Sequence, residues 1–332
     1  MFFIYHQFYG KKLDFLTKTD LVFRKCIADR ESGRKMNRKT IAIVILHYND
    51  FNMTKNYIDN LKELNWENIN HKFVIVDNAS PDCSGIKLKE KYYLDKDVEV
   101  LLSEINLGFA GGNNLGILYA RNEFDADLVV VSNNDIKIKT HTFPEELIEM
   151  YEENCFAVYG PDIYSQGRNI HQNPFRKSPL NMEEVKSKIK EIDRLLPILK
   201  IIDRTRTYNF LRKIKNLYSK KEKTLSEDYK QRKLNYVLHG AFFVLTKKYF
   251  EKYPDGLYGG TFLYMEEDIL AYRCMKSKLK MLYDPKISVV HFDGVSSLKE
   301  SGDRCKKYIR ELVETKKSCS VYLNYMLKTS ND

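Results

Sequence analysis

Long apolar runs are missing from this 332-residue chain. The longest, at 41–46 and 128–131, fall far short of the ~20 residues needed to cross a bilayer. The start of the sequence carries no apolar stretch with a small-residue cleavage site, so no secretory leader is expected. Paired thiolates are missing as well: Cys26, Cys83, Cys155, Cys274, Cys305 and Cys319 are widely spaced, with no CxxC. That argues against a disulfide framework or a thiolate zinc site, and for reduced thiols in the cytoplasm. The first strand-to-helix turn, 47–53, has no glycine, which excludes a G-x-G-x-x-G dinucleotide loop there. Aromatic residues do not interleave with basic ones on any recognisable module, so no nucleic-acid partner is expected.

What is present supports a folded core. Hydrophobic residues make up 43% of the chain, which excludes global disorder, and the length suits one large domain or two small ones. The net charge of +10 is local: residues 176–233 hold 18 Lys/Arg against 8 Asp/Glu, leaving the remainder near zero. A solvated helical face explains such an excess, and so does an anionic lipid surface or substrate. Within it, Phe210, Leu211, Ile214, Leu217 and Tyr218 share one helical face, either packed on the core or laid on a membrane.

Short β-rich runs at 40–48, 72–77, 98–103 and 127–132 alternate with helical periods at 53–64, 86–93 and 114–121. Strand–helix alternation predicts an α/β fold with a mostly parallel sheet, in which ligands bind beyond the carboxyl ends of the strands. Those ends read His47-Tyr48-Asn49, Asp77-Asn78-Ala79-Ser80, Ser103-Glu104-Ile105-Asn106 and Asn133-Asn134-Asp135, four polar tips that converge on one ligand. Runs at 156–159, 235–246 and 281–292 read as further strands, 266–278 as a helix, and 299–328 as a helical tail. Residues 1–38 read as an appendage before a main domain at 39–300, with the basic insertion at about 176–233 and the tail at 301–332. Met36 is an alternative start.

Asp77, in VDNASPDCSG, is suited either to accept from a pyrimidine imide N–H or to cap the following helix. In NLGFAGGNNLGI, Gly108, Gly111 and Gly112 let backbone approach a ligand, with a helix starting near Asn113. In SNND, Asp135 is the candidate ligand for Mg2+ or Mn2+, and Asn133 a neutral substitute in a D-x-D-like pattern; a turn or helix cap is the plainer alternative. FLYMEEDIL places Glu266, Glu267 and Asp268 behind an aromatic, glycine-rich approach, as a sugar wall with a base at its floor or as acids in a helix's first turn. His291, at the end of ISVVH, is a candidate for metal or diphosphate contact.

The ordered set VILHYN, VDNAS, NLGFAGGNN, SNND, HGAFF, FLYMEEDIL and VVHFDG resembles family 2 glycosyltransferases of GT-A fold, of the bacterial rhamnosyltransferase-like, capsule or O-antigen type. The resemblance implies that Asp77 binds the base and that His47, Asn49, Asn106 and Gly112 line the nucleoside pocket. It implies Asn133 and Asp135 as the D-x-D-like site, with His291 near the metal. The family's FLYFEDVDL puts Glu267 where the catalytic Asp stands, followed by Asp268 as second choice, and puts Ile269 where another Asp is usual. The implied reaction is a metal-assisted, inverting transfer from a UDP- or dTDP-sugar to a glycan or lipid-linked acceptor, at the inner face of the cell membrane. A catalytically silent nucleotide-sugar-binding subunit is the alternative, favoured by Asn133 and Ile269. A nucleotidyltransferase would want a glycine- and basic-rich phosphate loop that 47–53 lacks.

Overall fold

The computed structural model describes residues 38–204, 227–292 and 304–329; from Lys39 onward they belong to one compact unit. The expected appendage, apart from Arg38, and the amphipathic stretch at 210–218 lie outside the described residues.

The first half of the sheet is built from β1 (Thr40–His47), β2 (Asn70–Asp77), β3 (Val98–Leu102) and β4 (Leu128–Asn133). Between them run helices α1 (Phe51–Lys62), α2 (Ser84–Lys91) and α3 (Gly108–Phe124). Then follow β5 (Ile136–Ile138), α4 (Phe143–Asn154), β6 (Val158–Ser165), β7 (Ile170–His171), α5 (Met182–Arg204), β8 (Lys233–Leu234) and β9 (Phe242–Thr246). The chain closes with the short α6 (Lys247–Phe250), α7 (Glu266–Lys276), β10 (Met281–His291) and α8 (Arg304–Thr329). The strands form one sheet in the order β3-β2-β1-β4-β9-β6-β10-β5, with β7 beside β6 and β8 beside β10.

The parallel expectation holds across β3-β2-β1-β4 and for β6 beside β10. Strand β9 enters antiparallel between β4 and β6, and β5 runs antiparallel to β10, so the whole sheet is mixed. Strand β1 shows why the first half reads as unbroken apolar runs. Ile41, Ile43 and Ile45 pack with Ile58 and Phe73 on one face, while Ala42 and Val44 pack with Val74 and Ile117 on the other. A strand covered on both faces has no polar side to alternate.

Three expected elements change shape. Helix α3 begins at Gly108, five residues before Asn113, and in the turn leading into it Asn106 Oδ1 accepts from the Gly108 N–H at 2.9 Å. The run at 235–246 yields only the five-residue β9. Before it, Asn235 N and Val237 N donate to the Met281 and Arg176 carbonyls, whereas His239 N donates to Asn173 Oδ1 and Gly240 N to Glu267 Oε1. Strand β6 continues through Gly160-Pro161-Asp162, since the register opposite breaks between Tyr283 and Ser288 and Pro161 owes no ladder hydrogen bond there. The C-terminal segment is one helix, α8. Its Cys319, Tyr322 and Met326 are buried with Val185 of α5 and with Met265, Ile269 and Tyr272 around α7.

Candidate functional site

Parallel register brings His47 beside Asp77, and Leu46 beside Asn133, so the polar ends of β1, β2 and β4 lie level. A directed chain of hydrogen bonds ties them together. Asn134 Nδ2 donates to Thr54 Oγ1 at 2.9 Å, and Thr54 Oγ1 lies 2.6 Å from His47 Nδ1. His47 Nε2 lies 2.7 Å from Ser84 Oγ, whose hydroxyl donates to Asp82. Ser84 has one proton and gives it to Asp82, so its oxygen accepts from His47 Nε2–H, and Nδ1 accepts from Thr54. Burial lowers the His47 pKa against the pull of Asp77, Asp82 and Asp50, which agrees with a neutral ring. His47 is fully buried, and both ring nitrogens are engaged within the protein. It ties the end of β1 to α1 and α2.

Asp77 is 6% exposed and accepts from the hydroxyl and the N–H of Ser80. It does not cap the following helix, whose N-cap is Cys83; Asp82, just before it, accepts from Ser84 N at 2.9 Å. A Cβ on Gly85 would stand 2.2 Å from Asp77 Cγ, so glycine is what lets that carboxylate lie against α2. Asn78 staples the next loop: its Nδ2 donates to Asn106 Oδ1 and Gly108 O, and its Oδ1 accepts from Leu107 N at 2.8 Å. Asn106 is thereby held by Asn78 and by the Gly108 N–H. A Cβ on Gly112 would meet Leu46 Cδ1 at 2.5 Å, so this glycine serves the helix–sheet contact. Asn49, in a left-handed conformation, donates its N–H to Ser80 Oγ at 2.8 Å. Its Oδ1 is buried with no hydrogen-bond partner, an acceptor left unused within the protein.

Asn133 ends β4, its N–H held by Ala241 O at 2.9 Å. Asp135, in the turn that follows, and His291, at the end of β10, come together with Oδ1 and Nε2 3.2 Å apart. Their proximity follows from the pairing of β5 with β10, which sets His291 opposite Ile136. Among the described residues no three His, Cys, Asp or Glu side chains gather as a metal cluster. The pair nevertheless fits a divalent cation. The Asp135 Oδ1 atom is buried and has no hydrogen-bond partner, and a carboxylate with an imidazole suits Mn2+ or Mg2+ that completes its shell with phosphate oxygens and water.

The acids open α7, after two consecutive left-handed residues, Tyr264 and Met265. Asp268 is committed: it is 3% exposed, pairs with Arg176 and accepts from Leu180 N at 2.8 Å. Glu267 is partly buried and accepts only a long 3.3 Å bond from Gly240 N. Burial first, then the neighbouring Asp268 charge, pushes its carboxyl above the ordinary range. Glu266 accepts from Thr261 Oγ1 at 3.3 Å and is pushed up to about 7 by burial and by the charge of Glu267. Burial thus disfavours the charged form of both neighbouring carboxyls, the condition under which a carboxylate accepts a proton more readily, while Asp268 is held in its ion pair. Ile269 is 1% exposed in the α5–α7–α8 cluster, so an acid missing from 269 is an acid missing from a helical core.

The sequence reading passed over Asn113, Gln172 and Asn173. Asn113 is fully buried, donates to Phe109 O and leaves Oδ1 without a partner; its signal was the doubled Asn of GGNN. Gln172 and Asn173 gave no signal, because their partners lie in distant strands and loops.

The sequence model described as Glycosyl transferase family 2 matches residues 42–253, more than half of the chain. The low-salt glycan biosynthesis hexosyltransferase Agl10 of Haloferax volcanii is 27% identical over 135 residues, a match spanning 40% of this chain and 40% of that relative's length. The structure of GalNAc-T7 with UDP, GalNAc and Mn2+ aligns over 77% of this chain and 44% of that one, at 12% identity and TM-score 0.50. Mannosyltransferase PcManGT from Pyrobaculum calidifontis, in complex with GDP-Man and Mn2+, aligns over 93% and 86%, at 11% identity and TM-score 0.48. The likeness to GalNAc-T7 is one of fold. This chain belongs to glycosyl transferase family 2.

Proposed function

We propose that this family 2 chain transfers a hexosyl group from a nucleoside-diphosphate sugar to an acceptor hydroxyl, with inversion at the anomeric carbon. The observation that carries the reading is the pairing of Asp135 and His291 at the level of the strand ends, where Asp135 Oδ1 lies 3.2 Å from His291 Nε2 and accepts no hydrogen bond. Asp77, with the free acceptor of Asn49, would hold the base, and Asn106 and Asn133 the ribose side. Asp135 and His291 would hold Mn2+ or Mg2+, which when bound neutralises charge on the departing diphosphate. Glu267 would take the proton of the acceptor hydroxyl. The new bond forms between that oxygen and the anomeric carbon as the bond to the β-phosphate oxygen breaks, its electron pair leaving with the diphosphate. Attack opposite the leaving group inverts the centre.

The hexosyl assignment takes its support from the Agl10 match. We further place the acceptor on a glycan or lipid carrier of a bacterial surface polysaccharide, with the basic segment at 176–233 against the cytoplasmic membrane face. No helix among the described residues is long and apolar enough to cross a membrane, so such an association would be peripheral for them. The domain division of 1–38, 39–300 and 301–332 is part of the same proposal. The silent-subunit alternative loses the support of Ile269, which faces a core.

Calorimetry with UDP, dTDP and GDP, each with and without Mn2+, tests the donor site on wild type and Asp135→Ala. Metal-dependent binding of one nucleotide, lost in the variant, is the expected result. Binding that ignores both Mn2+ and the substitution would remove the cation from Asp135, and no binding of any nucleotide would remove the donor site. Wild-type binding without transfer or donor hydrolysis would establish the silent alternative.

A further inference from the structure

Gln172 follows β7 and lies in none of the motifs that mark the site. Its backbone N–H donates to Ile163 O at 2.8 Å, and the residue is 6% exposed. Its side-chain Oε1 stands 2.8 Å from His291 Nδ1. An amide oxygen can only accept, so Nδ1 must donate. A neutral imidazole carries one proton, so Nε2 then keeps its lone pair. That Nε2 is the atom 3.2 Å from Asp135 Oδ1, a buried oxygen that accepts no hydrogen bond.

We propose that Gln172 is a positioning residue for the cation site: by accepting from Nδ1 it holds His291 in the tautomer whose Nε2 lone pair faces the cation's place beside Asp135. The proposal rests on the metal reading given above. The opposite tautomer would put a proton on Nε2, bond it to Asp135 and leave no lone pair for a divalent ion. Gln172 counters this with the shorter contact on the far side of the ring. Asn173 anchors the next residue: it is 1% exposed, donates to Pro161 O at 2.8 Å and accepts from His239 N at 2.7 Å. The loop is therefore fastened to β6 on one side and to the approach to β9 on the other. Outer partners of ligating histidines commonly act this way, fixing tautomer and ring orientation.

The test uses metal-free protein at mildly alkaline pH, with the NMR spectrum itself reporting which ring nitrogens carry protons. Nitrogen-15 NMR of the imidazoles should show His291 protonated on Nδ1 in the wild type and on Nε2, or mixed, in Gln172→Met. Mn2+ titration without nucleotide, followed by electron paramagnetic resonance of the free ion, should show affinity falling ~10-fold or more in Gln172→Met. Gln172→Glu, which keeps an acceptor at Nδ1, should retain the wild-type tautomer and most of the affinity. An unchanged melting temperature in metal-free Gln172→Met separates this from loss of the fold. A wild-type His291 protonated on Nε2, or Mn2+ affinity that ignores residue 172, would overturn the role of Gln172. Wild-type protein that binds no Mn2+ at all would overturn the metal reading, and this proposal with it.

Discussion

In the half of the sheet made by β3-β2-β1-β4, strand ends are tied by side chains of neighbouring units, His47 to Ser84 and Asn78 to Asn106 and Leu107. In the half made by β9-β6-β10-β5, the ties join distant segments, Arg176 to Asp268 and Gln172 to His291. The halves also differ in what they leave unsettled. His47 in the first half is buried neutral with both nitrogens matched, so its environment suits the state it is in. Glu266 and Glu267 border the second half with carboxyls displaced upward, and their hydrogen bonds from Thr261 and Gly240 are 3.3 Å long. A group with fully matched partners is suited to holding a site, and one whose charged state is disfavoured is suited to moving a proton.

The sharpest break of that comparison is Glu267→Gln, which keeps the shape and removes the base. Transfer should fall by ~10²–10⁴-fold while calorimetry shows nucleotide binding near wild type. Near-normal transfer in Glu267→Gln, with a collapse in Glu266→Gln, would move the base one residue earlier. Next in size is Arg176→Met, which strands a buried carboxylate at Asp268. Thermal or denaturant unfolding should show a loss of ~2–3 kcal/mol, at the low end for such pairs because Arg176 is partly exposed. Adding Asp268→Asn to Arg176→Met should recover part of it, and a strictly additive double variant would mean the pair is not coupled.

A smaller change tests the first half. Gly85→Ala drives a methyl into Asp77, so nucleotide affinity should drop by ~1–2 kcal/mol, the usual scale of overpacking. Unchanged affinity would take Asp77 out of base recognition.

The first half was legible in the sequence because its logic is local. Each buried strand is a continuous apolar run, each ends in polar residues, and each feeds its own helix. Even there the partners of His47 were not legible, since a strand-end histidine looks the same whether it faces a ligand or a threonine beneath. The pairing of Asp135 with His291 was anticipated through the resemblance alone, because the strand pairing that joins them spans more than 150 residues. What no pattern announced was Gln172, Asn173 and the commitment of Asp268 to Arg176. Those depend on which loops meet in space, and periodicity carries no record of that.

The last prediction concerns pH, where the halves should respond with opposite sign. The folded-state pKa of Glu266 is raised from 4.5 to about 7, so the folded form holds that proton more tightly than the unfolded chain. Stability from this group is full below about 4.5 and is lost as pH rises through about 7. The folded-state pKa of His47 is lowered from 6.5, so its contribution is full above 6.5 and is lost as pH falls through the lower, folded value. Acidification from neutrality therefore relieves the acids of α7 while it strains the tie beneath β1. Melting temperatures across this window would separate the two. Glu266→Gln should gain on the wild type near pH 7 and lose that gain toward 4.5. His47→Gln should lose stability throughout, by an amount that shrinks as the wild type acidifies below 6.5. Parallel pH profiles for the wild type and both variants would mean neither group titrates differently in the fold. The distinction between a settled half and an unsettled one would then rest on hydrogen-bond geometry alone.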